Sequence, residues 1–265
     1  MKKSSFLRGI STCLVVTVFA GMAMASGSSS GSSKETGSVT VGDDTTKVTE
    51  ETTKEAKAEY EITNTLFTHY TNSIDKEEYS GIIEIKNTGS VCIYLKDCTF
   101  DFEDDNGHLL QSEKLISSAP DVIAPGECGY YFGHGYIDDE VSFENGINLV
   151  PNFTVDICKN GNEAVIDYEV SDLDIRDNDY GLGVKVTGRV TNGTSEDTNS
   201  IDVKIIAIFY DSEGNLLDVG FTYADEMSAG GKASFEISTV FGNEEVSTES
   251  VADYKVIARH TYIQF

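Results

Sequence analysis

The 265-residue chain has no tryptophan and only three prolines, and its 45 aspartates and glutamates outnumber its 19 lysines and arginines. This excess of acids argues against nucleic acid and anionic membranes as partners, because both are bound by clustered basic side chains. The absence of tryptophan weakens a carbohydrate-binding interpretation. Beyond the N-terminal segment, no stretch approaches the ~18 apolar residues of a transmembrane helix.

Motifs for catalysis and for metal binding are also missing. The four histidines lie in no H-E-x-x-H sequence and beside no G-x-S-x-G elbow, and the cysteines form no C-x-x-C pair. We therefore predict a protein that is not an enzyme and that uses no cofactor and no metal, with calcium binding by the acids of 172–181, in a geometry other than an EF-hand, as the open alternative to the absence of metal. A secreted hydrolase with an unrecognised pair of carboxylates is the alternative.

The N-terminus predicts export. Basic residues precede a short apolar run at 13–21, and Ala23-Met24-Ala25 fits the small-x-small rule for signal peptidase. We predict a signal peptide at 1–25 and a secreted or extracellular protein, held at the cell envelope, if at all, by contacts that the sequence does not name. The signal contains three of the 19 basic residues and no acid, so the mature net charge is 16 minus 45, or −29.

After the signal, the composition changes twice. Residues 26–57 consist mainly of Gly, Ser, Thr, Glu and Lys, which cannot bury enough apolar surface to offset the entropy of ordering, and they predict a disordered linker. From residue 58 onward, short segments alternate apolar and polar residues, as in 98–102 and 232–238, which is typical of strands with one buried face. The continuous apolar run at 203–210 predicts a central strand covered on both sides.

A long internal repeat organises the rest of the chain. The pattern F-x-D-x-x-G-x-L-L occurs at 102–110 and again at 209–217. An Asn-containing strand end precedes it at 84–90 and 189–195, and a glycine that leads into a strand follows it at Gly126 and Gly230. Self-similarity at this spacing predicts duplicated units, here 58–165 and 166–265.

The acids of the repeated pattern predict turns. Asp104 and Asp211 can accept backbone hydrogen bonds that start a turn, and Gly107 and Gly214 suit the positive-φ position that completes it. An EF-hand loop needs acids at its first and third positions and glycine at its sixth, and neither copy has that spacing. We therefore predict two hairpins with a type I turn and a bulge.

Together these features resemble the FxLYD domain family of bacterial exported proteins. The residues that carry the resemblance are the turns at Asn87 and Asn192, the two F-x-D-x-x-G segments, and the glycine-led strands at 126–131 and 230–235. The resemblance implies a small immunoglobulin-like β-sandwich, often tethered at the cell envelope, with no established chemistry. The expected fold is thus all-β, with two tandem immunoglobulin-like antiparallel sandwiches after the signal peptide and linker.

Two groups of side chains are candidates for specific roles, and both lie in the first unit. Four of the five cysteines remain after cleavage of the predicted signal peptide, which contains Cys13, and an even number in an exported chain suggests disulfides, with three pairings open. The aromatic segment 129–136 could present Tyr130, His134 and Tyr136 as a binding row for a protein or glycan at the cell surface, if its outer face is exposed. The candidate disulfide residues are Cys92, Cys98, Cys128 and Cys158.

These observations predict a non-catalytic binding or spacer module at the cell envelope or outside the cell. The alternative is an adhesion or envelope-assembly subunit whose exposed sheet edge adds a strand from a partner.

Overall fold

The structure is a computed structural model that describes residues 57–71, 74–179, 183–239 and 246–262. The predicted signal peptide and all of the predicted linker except residue 57 lie outside the described residues. The described residues belong to one compact unit spanning 56–265. They form antiparallel β-sheets with one short 3-10 helix, which confirms the all-β prediction. No described helix has the length and apolar character needed to cross a membrane.

The described part of the first repeat unit contains eight strands and the 3-10 helix. The elements are β1 (Tyr60–Thr71), β2 (Glu77–Asn87), β3 (Ile93–Glu103), β4 (Leu109–Glu113), β5 (Ser117–Ala119), β6 (Val122–Ile123), β7 (Cys128–Tyr136), β8 (Asn148–Ile157) and the 3-10 helix (Gly161–Ala164). β3 shows the alternating burial that the sequence predicts over 98–102, whereas β2 and β7 each contain five consecutive buried residues.

Among its described residues, the second repeat unit has six strands: β9 (Asp167–Asp177), β10 (Val184–Thr191), β11 (Val203–Tyr210), β12 (Leu216–Tyr223), β13 (Lys232–Ser238) and β14 (Asp253–His260). The predicted boundary after residue 165 falls between the 3-10 helix and β9.

The two units share one pattern of strand pairing. In the first, β2 lies between β1 and β7, and β3 pairs with β4 and β8. In the second, β10 lies between β9 and β13, and β11 pairs with β12 and β14. The second unit also joins its two groups of strands into one six-stranded sheet through the pairing of β14 with β9. The sequence repeat therefore corresponds to a repeated topology.

The F-x-D-x-x-G-x-L-L segments form matching hairpin turns. Backbone N–H groups two and four residues further on donate to Asp104 Oδ1 at 2.9 and 2.8 Å, and the equivalent groups donate to Asp211 Oδ1 at 2.8 Å each. Gly107 and Gly214 have φ angles of 78° and 81°. Each hairpin has a bulge at the residue after the repeated phenylalanine, at Glu103 and Tyr210. The hydrogen bonds from His108 hold the pKa of Asp104 down at about 2.

A buried asparagine follows the second strand of each unit in the same way. Asn87 Nδ2 donates to backbone carbonyls 4 and 36 residues away, at 2.8 and 2.9 Å. Asn192 Nδ2 donates to carbonyls at the same separations, at 2.8 and 3.2 Å. The backbone carbonyls of Asn87 and Asn192 accept the N–H of Gly126 and Gly230 at 2.9 Å each. Each asparagine thus connects the end of its strand to the loop that leads into the neighbouring strand of the same sheet, β7 in the first unit and β13 in the second.

Each unit has its own apolar core, and a third core lies between the units. The first core includes Phe100, Phe102 and Tyr131, and the second includes Ile205, Phe209 and Phe235. β11 is buried on both faces, as its continuous apolar run predicts, because its alternate residues face the second core and the third core. The third core contains Ile82, Ala119, Tyr130, Phe132, Ile206, Ile208, Leu216 and Val219, and we call it the shared core.

Candidate functional site

The aromatic strand β7 leads from the shared core into solvent. Its alternate residues Tyr130, Phe132, His134 and Tyr136 point to one face of the sheet. The second unit covers the first two, and Tyr130 is only 2% exposed. The row then emerges, so that Tyr136 is 55% exposed. The predicted binding residues therefore lie in one row on one face of β7. The half of the row at Tyr130 and Phe132 is buried, and the half that ends at Tyr136 is open to solvent.

Tyr130 belongs to the joint between the units, so its assignment to an exposed binding row is corrected. Its hydroxyl donates to Glu84 Oε1 at 3.0 Å and lies 2.9 Å from the hydroxyl of Tyr210, which belongs to the second unit. Burial, together with Tyr210 and Glu84, raises the pKa of Tyr130. The strand period identifies the face of Tyr130 but contains no information on what covers that face.

The open half of the row is built around a carboxylate of β2. His134 Nε2 lies 3.2 Å from Glu78 Oε2, and the hydroxyl of Tyr70 donates to the same oxygen at 2.5 Å. Glu78 stands directly opposite both Tyr136 on β7 and Tyr70 on β1. We call Tyr70, Glu78, His134 and Tyr136 the open-face cluster. Neither Glu78 nor Tyr70 was identified from the sequence, since their approach to β7 depends on the register of three strands.

A shallow depression of about 420 Å³ adjoins the cluster at the end of β7. Its rim combines apolar side chains with charges of both signs, including an ion pair between Lys76 and Asp139. The lining residues are Ile74, Lys76, Tyr136, Ile137, Asp138 and Asp139. An exposed ring beside fixed polar groups is the arrangement that protein surfaces use for recognition.

The joint that positions this face includes a buried arginine. Arg259 of β14 is 3% exposed, and its Nη1 donates to the backbone carbonyl of Val122 in the first unit at 2.8 Å. Its Nε donates to Asp167 at 2.7 Å, and Glu127 Oε2 lies 2.9 Å from Nη1, as an ion pair without hydrogen-bond alignment. Arg259 therefore binds groups of both repeat units at once.

A lysine of β11 reinforces the joint next to Arg259, which it faces in the pairing of β11 with β14. Lys204 Nζ donates to the backbone carbonyl of Ser118 at 2.9 Å and to Asp121 Oδ1 at 3.0 Å, both in the first unit. The same ammonium lies 5.6 Å from the ring centre of Tyr223. Lys204 and Asp121 are both largely buried, so solvent screens their interaction less than that of a surface pair.

The four described cysteines are free thiols in the structure. Cys92 and Cys158 are neighbours in a small buried cluster. Cys98 lies in the core of the first unit, and Cys128 packs against the shared core. Burial raises the pKa of Cys98 to about 12 and that of Cys128 to about 11.

The remaining histidines serve local structure. His108 lies in the first hairpin turn and contacts Asp104, and His260 is hydrogen-bonded to Tyr168 at 3.0 Å. His69 stacks on Phe143 with ring centres 5.2 Å apart. Within the described ranges, no three side chains of His, Cys, Asp or Glu gather as a metal site.

Comparison with known proteins adds no identity. No protein-family model matches the chain, and no curated protein matches it. Membership of the FxLYD family therefore remains a prediction, which depends on the repeated turns, the buried asparagines and the glycine-led strands.

Proposed function

We propose that the protein is an exported, non-catalytic module of the bacterial cell envelope or the extracellular space, which binds a protein or glycan through the open-face cluster. The observation that carries the proposal is the course of β7, which is anchored in the shared core at Phe132 and exposed at Tyr136. The second unit acts as a spacer in this proposal, because it buttresses the face without covering its end.

The polar part of the cluster supports recognition. Glu78 already accepts two hydrogen bonds, which restrict its rotamer and that of His134 before any partner arrives. Side chains ordered in this way lose less conformational entropy on binding, and an exposed tyrosine adds large contact area with few rotatable bonds. The mature net charge of −29 favours a partner with basic groups.

A substitution in the cluster tests the proposal. Tyr136→Ser removes the exposed ring and leaves the backbone pairing with β2, so we expect binding of the mature chain (26–265) to envelope fractions to weaken at least ~10-fold. Tyr60→Ser is the matched control, because Tyr60 is an exposed tyrosine of the same unit at the far end of β1. Its binding should equal that of the wild type.

Binding is measured by titrating labelled protein onto the fractions, with and without calcium. Unchanged affinity in the Tyr136 variant contradicts the proposed site. Failure of the wild type to bind any fraction contradicts the binding function and leaves the spacer role alone.

Strand addition is a second candidate, favoured by the length of β1. This 12-residue strand pairs with β2 along one edge, and no other described strand pairs with the opposite edge. Such an edge can accept a strand from a partner. Binding by this route would survive Tyr136→Ser and would be lost when proline replaces Thr65 in the middle of β1.

A further inference from the structure

Two of the four cysteines face each other across neighbouring strands. Ile93 and Ile157 are paired where β3 meets β8, and Cys92 and Cys158 are the next residues along that register. The backbone N–H of Cys158 donates to the carbonyl of Cys92 at 3.0 Å. Facing residues of an antiparallel pair have Cα atoms about 4.5–5.5 Å apart, which lies within the range of disulfides, about 4.4–6.8 Å.

The side chains of this pair lie on the same face of the two strands, as those of directly opposed residues do. The thiol of Cys92 donates to the backbone carbonyl of Ile123 at 3.4 Å, and each of the two thiols shifts the pKa of the other. They pack together with Val122 and Ala164 in one buried cluster, in which Cys92 is 0% and Cys158 2% exposed. Cys98 and Cys128 occupy other clusters, so among the described cysteines the structure brings only this pair together.

We propose that Cys92 and Cys158 form a disulfide in the exported protein and that Cys98 and Cys128 remain thiols. The bond forms by exchange with a disulfide of a thiol oxidoreductase outside the cytoplasm. Two S–H bonds of the protein are broken and one S–S bond forms, and the two electrons and two protons reduce the disulfide of the oxidoreductase to a dithiol.

The bond must form before the cluster closes. Burial raises the pKa of Cys92 and raises that of Cys158 to about 12, so the reactive thiolate is scarce in the folded chain. During folding the same thiols are exposed to the oxidoreductase. Once closed, the cluster shields the disulfide from reductants.

The disulfide would stabilise the segment that connects the two repeat units. Cys158 is the first residue after β8, and the 3-10 helix and β9 come next in the chain. Tyr262, at the other end of the second unit, packs against the cluster, and its hydroxyl accepts the N–H of Lys159 at 3.1 Å. A link from Cys158 to β3 therefore holds the start of the connecting segment to the first unit.

Peptide mapping identifies the pairing. The mature chain (26–265) is recovered from the exported fraction, and a second sample is refolded from denaturant in a glutathione redox buffer. Both are alkylated while unfolded without reductant and digested with trypsin and an endoproteinase specific for glutamate. We expect peptide 87–96, which contains Cys92, linked to peptide 145–159, which contains Cys158. The peptides of Cys98 and Cys128 should be alkylated.

A stability measurement provides a second readout with matched controls. Reduction by dithiothreitol in denaturant, followed by refolding with the reductant present, should lower the Tm of the oxidised wild type and of the Cys98→Ala/Cys128→Ala variant by roughly 5–10 °C. It should leave the Tm of the Cys92→Ala/Cys158→Ala variant unchanged. This comparison within each variant is independent of any stability lost through the substitutions themselves.

Alkylation of Cys92 and Cys158 in the refolded sample overturns the proposal, as does any other pairing. The linked peptide could be found in the refolded sample while the cysteines remain free thiols in every fraction of the producing cells. That result would contradict export and would still support the proposed pairing. The outcomes therefore separate this proposal from the proposed function.

Discussion

Replacing Arg259 with alanine should destabilise the protein by about 2–4 kcal/mol. The substitution removes a buried cation and leaves the carbonyl of Val122 without its hydrogen bond and Asp167 and Glu127 without their counter-ion. Breaking a buried pair in this way costs about 3–5 kcal/mol when both partners are enclosed. The two carboxylates here are about half exposed, so the expected loss lies toward the lower end.

Arg189→Ala is the matched control for this prediction. Arg189 also faces an acid, with Nη1 3.7 Å from Asp172, but both side chains are more than half exposed. Surface pairs contribute about 0–1 kcal/mol, so this variant should unfold close to the wild type. The measurement is the urea midpoint followed by far-UV circular dichroism, since the chain has no tryptophan. Equal midpoints for the two variants would contradict the role of Arg259 in the joint.

The second large effect concerns the pH dependence of stability. Asp218 on β12 is 2% exposed, its Oδ1 accepts only the N–H of Val219, and its Oδ2 has no hydrogen-bond partner in the structure. Burial raises the pKa of this carboxyl to about 7, against about 3.8 in the unfolded chain. The folded protein therefore binds more protons than the unfolded chain between these two values.

The sign follows from linkage. Asp218 is neutral in both states below about pH 4, ionises first in the unfolded chain, and destabilises the fold progressively up to about pH 7. The full difference is on the order of 4 kcal/mol. Asp218→Asn keeps an acceptor for Val219 and cannot ionise. We therefore expect it to match the wild type near pH 4 and to be the more stable protein at pH 8.

Urea unfolding of both proteins across pH 4–8 measures the difference directly. Asp225→Asn, at an exposed site of the same unit, controls for the loss of one charge. A difference between Asp218→Asn and wild type that is constant over the whole range would contradict the buried neutral carboxyl.

The hairpin turns could be predicted from the sequence because they depend on residues that are close together in the chain. In each F-x-D-x-x-G-x-L-L segment, the acid and the glycine shape a turn within the same five residues, so the local sequence alone specifies the turn. The same holds for the alternation of apolar residues, which identifies the buried face of strands such as β3 and β13.

Contacts between residues that are far apart in the sequence could not be predicted in this way. The buried roles of Asn87 and Asn192 depend on carbonyls 36 residues away, and only their repetition in both units marked them as special. The contact between Cys92 and Cys158 depends on the register of β3 with β8, which spacing cannot supply.

The shared core shows the same limit for the candidate site. Tyr130 and Tyr136 stand on the same face of one strand, and the sequence treats them alike. The difference between them arises because β11 and β12 of the second unit lie over one end of the sheet and leave the other end open. The open-face cluster is thus a product of packing between the units.

The central claim is that the two repeat units unfold as one cooperative unit. Native-state hydrogen exchange of the mature chain tests this claim most directly. Exchange is followed by mass spectrometry in increasing urea, on peptides covering β3 in the first unit and β11 in the second. The shared core and Arg259 predict the same opening free energy and the same urea dependence for both strands. Continued protection of β11 after β3 has opened would contradict the account.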